Sequence, residues 1–300
     1  MNMKECRTTP ELIVKSLGFS KKLTILGKGI ANTFNILPPL SNIGLSVILA
    51  AITLLNSSSN YIHPAEFKVD VVVIDAGHGG KDSGTRGKKI LEKDIALKIA
   101  LKVGNYIEKN IPGVKVIYTR KNDTYLSLDE RANIANRAQA DLFICIHANS
   151  MPGGKATGTE TYVMGLHKDE NNFEVAKREN SVILMDVDYK ERYEGFDPDS
   201  PESYILFSLT QSAYQESSLL FAQKVEDQFK QRVGRHSRGV KQAGFVVLWR
   251  TTMPSVLIET GFLSHPTEEQ FLAEEKGQDL IASGIYRAFK EYKSEVESIN

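Results

Sequence analysis

The sequence is short of several things, and each shortage closes an option. It has only two cysteines, Cys6 and Cys145, too few for a disulfide framework. Cys145 alternates with apolar neighbours in LFICIHA and is expected to be a small buried hydrophobe rather than a redox or nucleophilic group. Charge of one sign is also lacking. Its 37 basic and 37 acidic residues cancel, so no basic stripe argues for nucleic acid. No internal repeat is apparent. The one long, mostly apolar run occupies 43–55, and the rest has the ordinary charged and apolar content of a globular domain.

That run follows Lys4, Arg7, Lys15, Lys21, Lys22 and Lys28 and precedes the polar SSSN. A basic flank and a short apolar stretch suit the core of a signal peptide better than a membrane span. A buried helix and an uncleaved signal anchor are the alternatives. The expectation is a targeting segment and linker over 1–65 and export to the periplasm or cell envelope. One folded domain is expected over 66–300, starting near Phe67.

Within that domain, strand and helix patterns alternate. VVVIDAGHGG, Val71 to Gly80, places β-formers before a glycine-rich break. From Glu92 to about Asn110, Ile95, Ile99, Val103 and Ile107 share one helical face. Val114 to Thr119 is a second strand, Leu128 to Asp141 a second helix with Leu128, Ala132 and Ala135 facing inward, and Leu142 to Ile146 a third strand. Thr157 to Met164, Gly244 to Arg250 and Pro254 to Glu259 are further strands. Phe173 to Leu184 is a candidate helix. Long helices are expected over Glu202 to Val233, with Leu206, Leu209, Leu219 and Val225 in the core, and over Gly277 to Lys293. This rhythm predicts a three-layer α/β domain, with helices flanking a mostly parallel mixed sheet and a site at the carboxyl ends of its strands.

Three sequence-distant groups suit one zinc ion. His78 and His147 end predicted strands and Glu92 opens a helix, so all three can converge on one sheet edge. Three ligands leave a fourth position for water. Asp75, Asn149 and Ser150 are candidates for hydrogen bonds that orient these ligands, or for contacts to substrate. Glu259 in SVLIETGF is a carboxylate at the end of a buried strand, expensive without a task or a partner. It is a candidate general base, with an N-cap or an ion-paired glutamate as the ordinary alternative. Singly, His78 is equally well a turn histidine and Glu92 a helix-start charge favoured by the dipole.

Six blocks in order carry a resemblance: IDAGHGGKDSG, LEKDIALKIA, ADLFICIHANS, GTETYVMG, RGVKQAGFVVL and PSVLIETGFLS. Together, from Val71 to about Phe289, they resemble the zinc-dependent N-acetylmuramoyl-L-alanine amidases of bacterial cell separation. The resemblance implies an α/β amidase fold and one zinc per chain on His78, Glu92 and His147, with Glu259 as the catalytic glutamate. It implies hydrolysis of the amide between the lactyl group of muramic acid and L-alanine, on peptidoglycan, by a monomer. Alternatives are a zinc peptidase of stem peptides and a wall-binding protein whose catalysis has decayed, although the latter predicts loss of a ligand or of Glu259.

The chain departs from the family at His265, where asparagine is usual; a helix cap before Pro266 is expected there. His63, His167 and His236 are expected at the surface, and Trp249 against the sheet rather than on a sugar. Leu166 to Glu202 falls where some family members carry an autoinhibitory helix displaced by a partner protein, and Glu179-Asn180 resembles that helix. The expectation is a regulatory insert at about 166–202 on which an activator acts. Asp186 to Ser200 is expected to drape over the cleft with a carboxylate near the zinc, the alternative being a solvated loop.

Overall fold

Residues 68–166, 169–208 and 213–298 are described in a computed structural model. The expected targeting segment, His63, His167, Leu209 and the side chain of Leu206 lie outside them. No helix among the described residues is long and apolar enough to cross a membrane.

The elements follow in order: β1 (Val71–Ala76), α1 (Glu92–Asn110), β2 (Lys115–Tyr118), α2 (Leu128–Arg137), β3 (Leu142–Asn149) and β4 (Thr159–Met164). The insert then supplies α3 (Glu170–Asn180), a 3-10 turn (Ser181–Met185), α4 (Tyr189–Arg192) and α5 (Pro201–Ser208). After α6 (Gln215–Gln228) and a π-turn (Phe229–Val233) come β5 (Ser237–Ala243), α7 (Val246–Trp249), β6 (Ser255–Phe262), α8 (Pro266–Ala273) and α9 (Glu275–Ser298).

The six strands form one mixed sheet in the order β2-β1-β3-β6-β4-β5. β2, β1, β3 and β6 are mutually parallel, β4 runs antiparallel to β6, and β5 is parallel to β4. The carboxyl ends of the central strands therefore meet the start of β4. Helices α1, α6 and α9 cover one face, with Ile95, Ile99, Val103 and Ile107 all buried as their spacing requires. Each such side chain contributes about 1.5–3 kcal/mol by leaving water. The other face carries α2, α3, α5 and α7, with Phe143, Tyr162, Phe173, Tyr204, Phe245 and Leu257 packed together. At the start of α2, Ser127 and Glu130 form a capping box.

Three expectations are corrected. The apolar run Gly244 to Arg250 is not a strand: Val246 to Trp249 is one helical turn burying Val246, Val247 and Leu248 beside α2, and the edge strand is the more polar SRGVKQA before it. The helix over Glu202 to Val233 is divided into α5, α6 and the π-turn, which ends at Gly234 with φ 76°. Leu219 is 36 % exposed rather than core, while Val225 is fully buried. Trp249 packs at the edge of the sheet-facing cluster, and His236 is exposed. His265 caps α8, its Nδ1 accepting from the Thr267 N–H at 3.3 Å.

Candidate metal centre

Four β-branched residues make β1 a central strand, and the chain leaves it through Gly77. A Cβ at Gly77 would lie 2.4 Å from His147 Nε2, and one at Gly84 would lie 2.5 Å from the His78 ring and 2.7 Å from Glu92 Oε2. Only glycine lets the backbone pass this close. His78 has φ 60°, a left-handed conformation that costs a non-glycine residue about 1 kcal/mol or more. Its surroundings fix it there. Asp82 Oδ2 meets His78 Nδ1 at 2.7 Å, Gly79 and Asp82 exchange backbone hydrogen bonds, and Arg131 Nη2 donates to the His78 carbonyl at 2.7 Å.

Glu92, fully buried at the first position of α1, accepts the Ala148 N–H on Oε1 and the Thr85 N–H on Oε2, at 3.0 and 2.7 Å. Oε1 also lies 3.0 Å from His78 Nε2 and 2.9 Å from His147 Nδ1. His147 lies near the carboxyl end of β3, a strand buried along its whole length, its carbonyl accepting from Thr260 Oγ1 at 2.8 Å. The sheet and α1 thus bring together the three groups expected as ligands.

A fourth group completes the cluster. Glu179, one residue from the end of α3, places Oε2 3.2 Å from His78 Nε2 and 3.1 Å from His147 Nδ1. All four ligand atoms lie within 4.8 Å of one another, and the four His–Glu separations span 2.9–3.2 Å. Four donors about 2.0 Å from a tetrahedral centre stand about 3.3 Å apart, close to what is seen. His78 Nε2 and Glu179 Oε2 are buried without a well-aligned hydrogen-bond partner, as atoms aimed at a cation would be. Two imidazoles and two carboxylates in this geometry can hold a metal ion, and they fit zinc.

The charges are mutually dependent. Burial opposes charging His78, but Glu92, Asp82 and Glu179 outweigh it and raise its pKa well above the usual imidazole value. Burial likewise opposes ionisation of Glu92, yet His78 holds it down to about 2. Glu179 is kept ionised against burial by His147 and Arg178.

Glu259 lies on the same side, opposite His147 across β3 and β6 and opposite Glu160 across β6 and β4. It is fully buried, neither carboxylate oxygen has a hydrogen-bond partner, and Arg178 Nη2 is 3.7 Å away. Burial, reinforced by Glu179 and Glu92, pushes its pKa well above the usual carboxylate range. A carboxylate so placed holds or releases a proton beside the metal cluster.

The three supporting candidates stand one step further out. Asp75 touches neither histidine: it accepts from Thr119 Oγ1 at 2.5 Å, Arg131 Nη1 at 2.8 Å and Cys145 Sγ at 2.9 Å. Through Arg131, 2 % exposed, it braces the carbonyls of Ala76 and His78. Asn149 Oδ1 and the Ser150 carbonyl accept from Arg178, at 2.9 and 3.0 Å, and so dock α3. Cys145 is buried but polar in its contacts, and burial with Asp75 beside it pushes its thiol up to about 12, far from a thiolate nucleophile.

The sequence reading did not assign Glu179, Arg178, Asp82 or Arg131 to the site. Only Glu179 left a signal, in the likeness of Glu179-Asn180 to an autoinhibitory helix. The expected carboxylate from Asp186 to Ser200 is not near the cluster. Asp186 instead accepts from Tyr125 and Tyr193 at 2.7 and 3.3 Å, and Lys81 Nζ donates to the Met185 carbonyl at 2.9 Å, fastening the segment beside the site. The covering group belongs to α3 because its apolar face, Phe173, Val175 and Ala176, seals onto the sheet. Open space begins outside α3, in a cavity of about 530 Å³ lined by Ser150, Pro152, Glu174 and Arg178.

Comparison with known proteins bears on this arrangement. A family model described as N-acetylmuramoyl-L-alanine amidase matches residues 72–291. The N-acetylmuramoyl-L-alanine amidase AmiA of Escherichia coli (strain K12) is 32 % identical over 248 residues, covering 81 % of this chain and 83 % of the relative. Among solved structures, an N-acetylmuramoyl-L-alanine amidase from Clostridium difficile 630 superposes with a TM-score of 0.56 at 31 % identity, covering 75 % of this chain and 97 % of the other. The CwlD amidase of Clostridioides difficile, in complex with the GerS lipoprotein, superposes with a TM-score of 0.55 at 27 % identity, covering 75 % and 98 %.

Proposed function

Because the chain belongs to the N-acetylmuramoyl-L-alanine amidase family and is a peptidoglycan amidase, we propose that His78, Glu92 and His147 are its zinc ligands and Glu259 its general base. The observation that carries the assignment is Glu259: a buried carboxylate without hydrogen-bond partners, facing the only cluster of this kind among the described residues. When bound, the metal would lower the pKa of a coordinated water to about 7 and polarise the amide carbonyl. The residues do the rest. Glu259, buried on the same side as the cluster, accepts a proton from the attacking water and delivers it to the leaving L-alanine nitrogen, so that the amine departs neutral. Asp82 keeps His78 in the tautomer that presents Nε2, and Glu92, fixed by two backbone N–H groups, cannot swing away.

The fourth position is the regulatory one. Glu179 fills the place that substrate and water need, and Arg178 from the same turn reaches toward Glu259, so α3 blocks both halves of the chemistry. In this reading the conformation is closed, and activity requires α3 to move. A protein partner acting on 166–202 would supply that movement; the solved complex of CwlD with GerS is a family precedent for a lipoprotein on an amidase. Export to the cell envelope follows from where peptidoglycan is found.

The test is mass spectrometry of digested peptidoglycan with the chain zinc-loaded, EDTA-treated and zinc-restored. Peptides beginning with L-alanine and intact muramoyl glycan are expected, lost with EDTA and regained with zinc. Cuts inside the stem peptide would instead support the peptidase reading, and full activity without metal would end the zinc assignment.

A further inference from the structure

Outside the metal centre, across β6 toward the sheet's edge, stands a second group of buried charges. Glu160 on β4 is the register partner of Glu259, and directly opposed residues share a face of the sheet. Two buried carboxylates so placed repel unless one is compensated. Glu160 is compensated twice over. Its Oε1 accepts from Arg238 Nε at 2.5 Å and from Lys241 Nζ at 2.6 Å, while Oε2 accepts from the Tyr162 hydroxyl at 2.8 Å and Asn149 Nδ2 at 3.1 Å. Lys241 and Arg238 hold its pKa low against burial.

One cation would neutralise Glu160, yet β5 supplies two. Arg238 uses only Nε: among the described residues no acceptor meets its two terminal nitrogens, and its side chain is 29 % exposed. The guanidinium is also steadied from below, 5.3 Å from the Phe262 ring, and Lys241 stands 5.8 Å from that of Tyr162. The result is a surplus positive charge, with a free planar fork, on the face that carries Glu259 and under the edge where α3 rests on β5.

We propose that Arg238, assisted by Lys241, forms a subsite for a substrate carboxylate, that of the isoglutamyl residue which follows L-alanine in the stem peptide. This rests on the amidase reading above. A guanidinium with both terminal nitrogens free binds a carboxylate through two parallel hydrogen bonds, and a primary amide replaces that pairing poorly. Glu160 is the anchor that aims the fork, and the subsite makes the enzyme discriminate between free and amidated stem peptides.

The experiment compares N-acetylmuramoyl-L-alanyl-D-isoglutamyl peptides with their isoglutaminyl counterparts, using the zinc-loaded full chain with and without Glu179→Ala. The unsubstituted chain is expected to favour the free carboxylate by about tenfold in kcat/KM, mainly through KM. Arg238→Gln brings that ratio close to one, and Arg238→Lys, which keeps the charge but not the fork, falls between. If Arg238→Gln does not fold, the Lys variant carries the same comparison. An unchanged ratio in both variants, or equal loss on both substrates, makes Arg238 a mere counter-ion of Glu160 and overturns the proposal. Equal cleavage of the two peptides by the unsubstituted chain overturns it while leaving the amidase reading intact. Cleavage of neither overturns both.

Discussion

Two glutamates meet the same two histidines, and they are held in different ways. Glu92 opens a helix that is sealed to the sheet by Ile95, Ile99, Val103 and Ile107, and both its oxygens accept backbone N–H groups. Nothing short of unfolding that layer moves it. Glu179 ends a helix of the insert. Phe173, Val175 and Ala176 anchor this helix, but the polar hooks that aim Glu179, Arg178 onto Asn149 and the Ser150 carbonyl, are only partly buried. Beyond it Leu184, Met185 and Val187 are exposed. Under the function proposed above, identical carboxylates at near-identical distances serve opposite ends: Glu92 belongs to the permanent scaffold and Glu179 to a cover that must move. The lesson is that ligand geometry alone does not assign a ligand's role; the attachment of its backbone does.

The sharpest way to break this comparison is the same substitution on both sides. Glu92→Ala should lose the metal and with it all measurable turnover, whereas Glu179→Ala should retain about one zinc per chain and raise basal peptidoglycan hydrolysis, by about tenfold if closing the site costs on the order of 1.4 kcal/mol. Zinc content by mass spectrometry and dye release from labelled peptidoglycan give both readings. Effects of the same sign would show that the two carboxylates are equivalent.

Glu259→Ala tests the permanent side at its chemical end. Turnover in the Glu179→Ala background should fall about 10²- to 10⁴-fold, the range for a lost general base, with zinc still bound. Loss of zinc as well would recast Glu259 as a ligand.

The smallest effect lies beneath the sheet. Glu226 on α6 is buried and accepts from Thr159, Thr161 and Ser237 hydroxyls. Burial raises its pKa above the ordinary carboxylate value despite these bonds. At pH below the ordinary value, about 4.3, folded and unfolded chains are both protonated there and nothing is lost. As pH rises from that value toward the raised one, only the unfolded chain releases its proton, so stability falls. Glu226→Gln, neutral throughout, should therefore gain relative to the unsubstituted chain as pH rises, by a few degrees in Tm between pH 4 and pH 7. A pH-independent difference would mean Glu226 is charged in the fold.

How much of this was legible in the chain differs between the same two regions. The scaffold side was readable in detail. Period-3.6 spacing on α1, unbroken β-formers in β1 and β3 and the glycine break after Asp75 report local preferences that burial reinforces. His78, Glu92, His147 and Glu259 therefore stood out, and the ordered blocks around them supplied roles that spacing could not. The insert is not legible in the same way: its charge is densest in the acidic Asp186 to Ser200, yet the carboxylate at the cluster is Glu179, because charge density says nothing about which side chain a packed helix points inward. The edge strand departs from the sequence pattern for a related reason. FVVLW is the more apolar run, but its side chains are buried by one helical turn against α2, while SRGVKQA pairs with β4.

The sequence by itself determined the alternation of strands and helices, the four groups around the site and the family, since these depend on local periodicity and on residue types at particular positions. The tertiary structure decided that β4 enters antiparallel to β6, that Asp75 braces Arg131 rather than a histidine, and that Glu179 and Arg178 close over the cluster. Those outcomes join residues 32 to 101 positions apart. They are selected by burial and by the need to pair every buried charge, which no local stretch of the chain encodes.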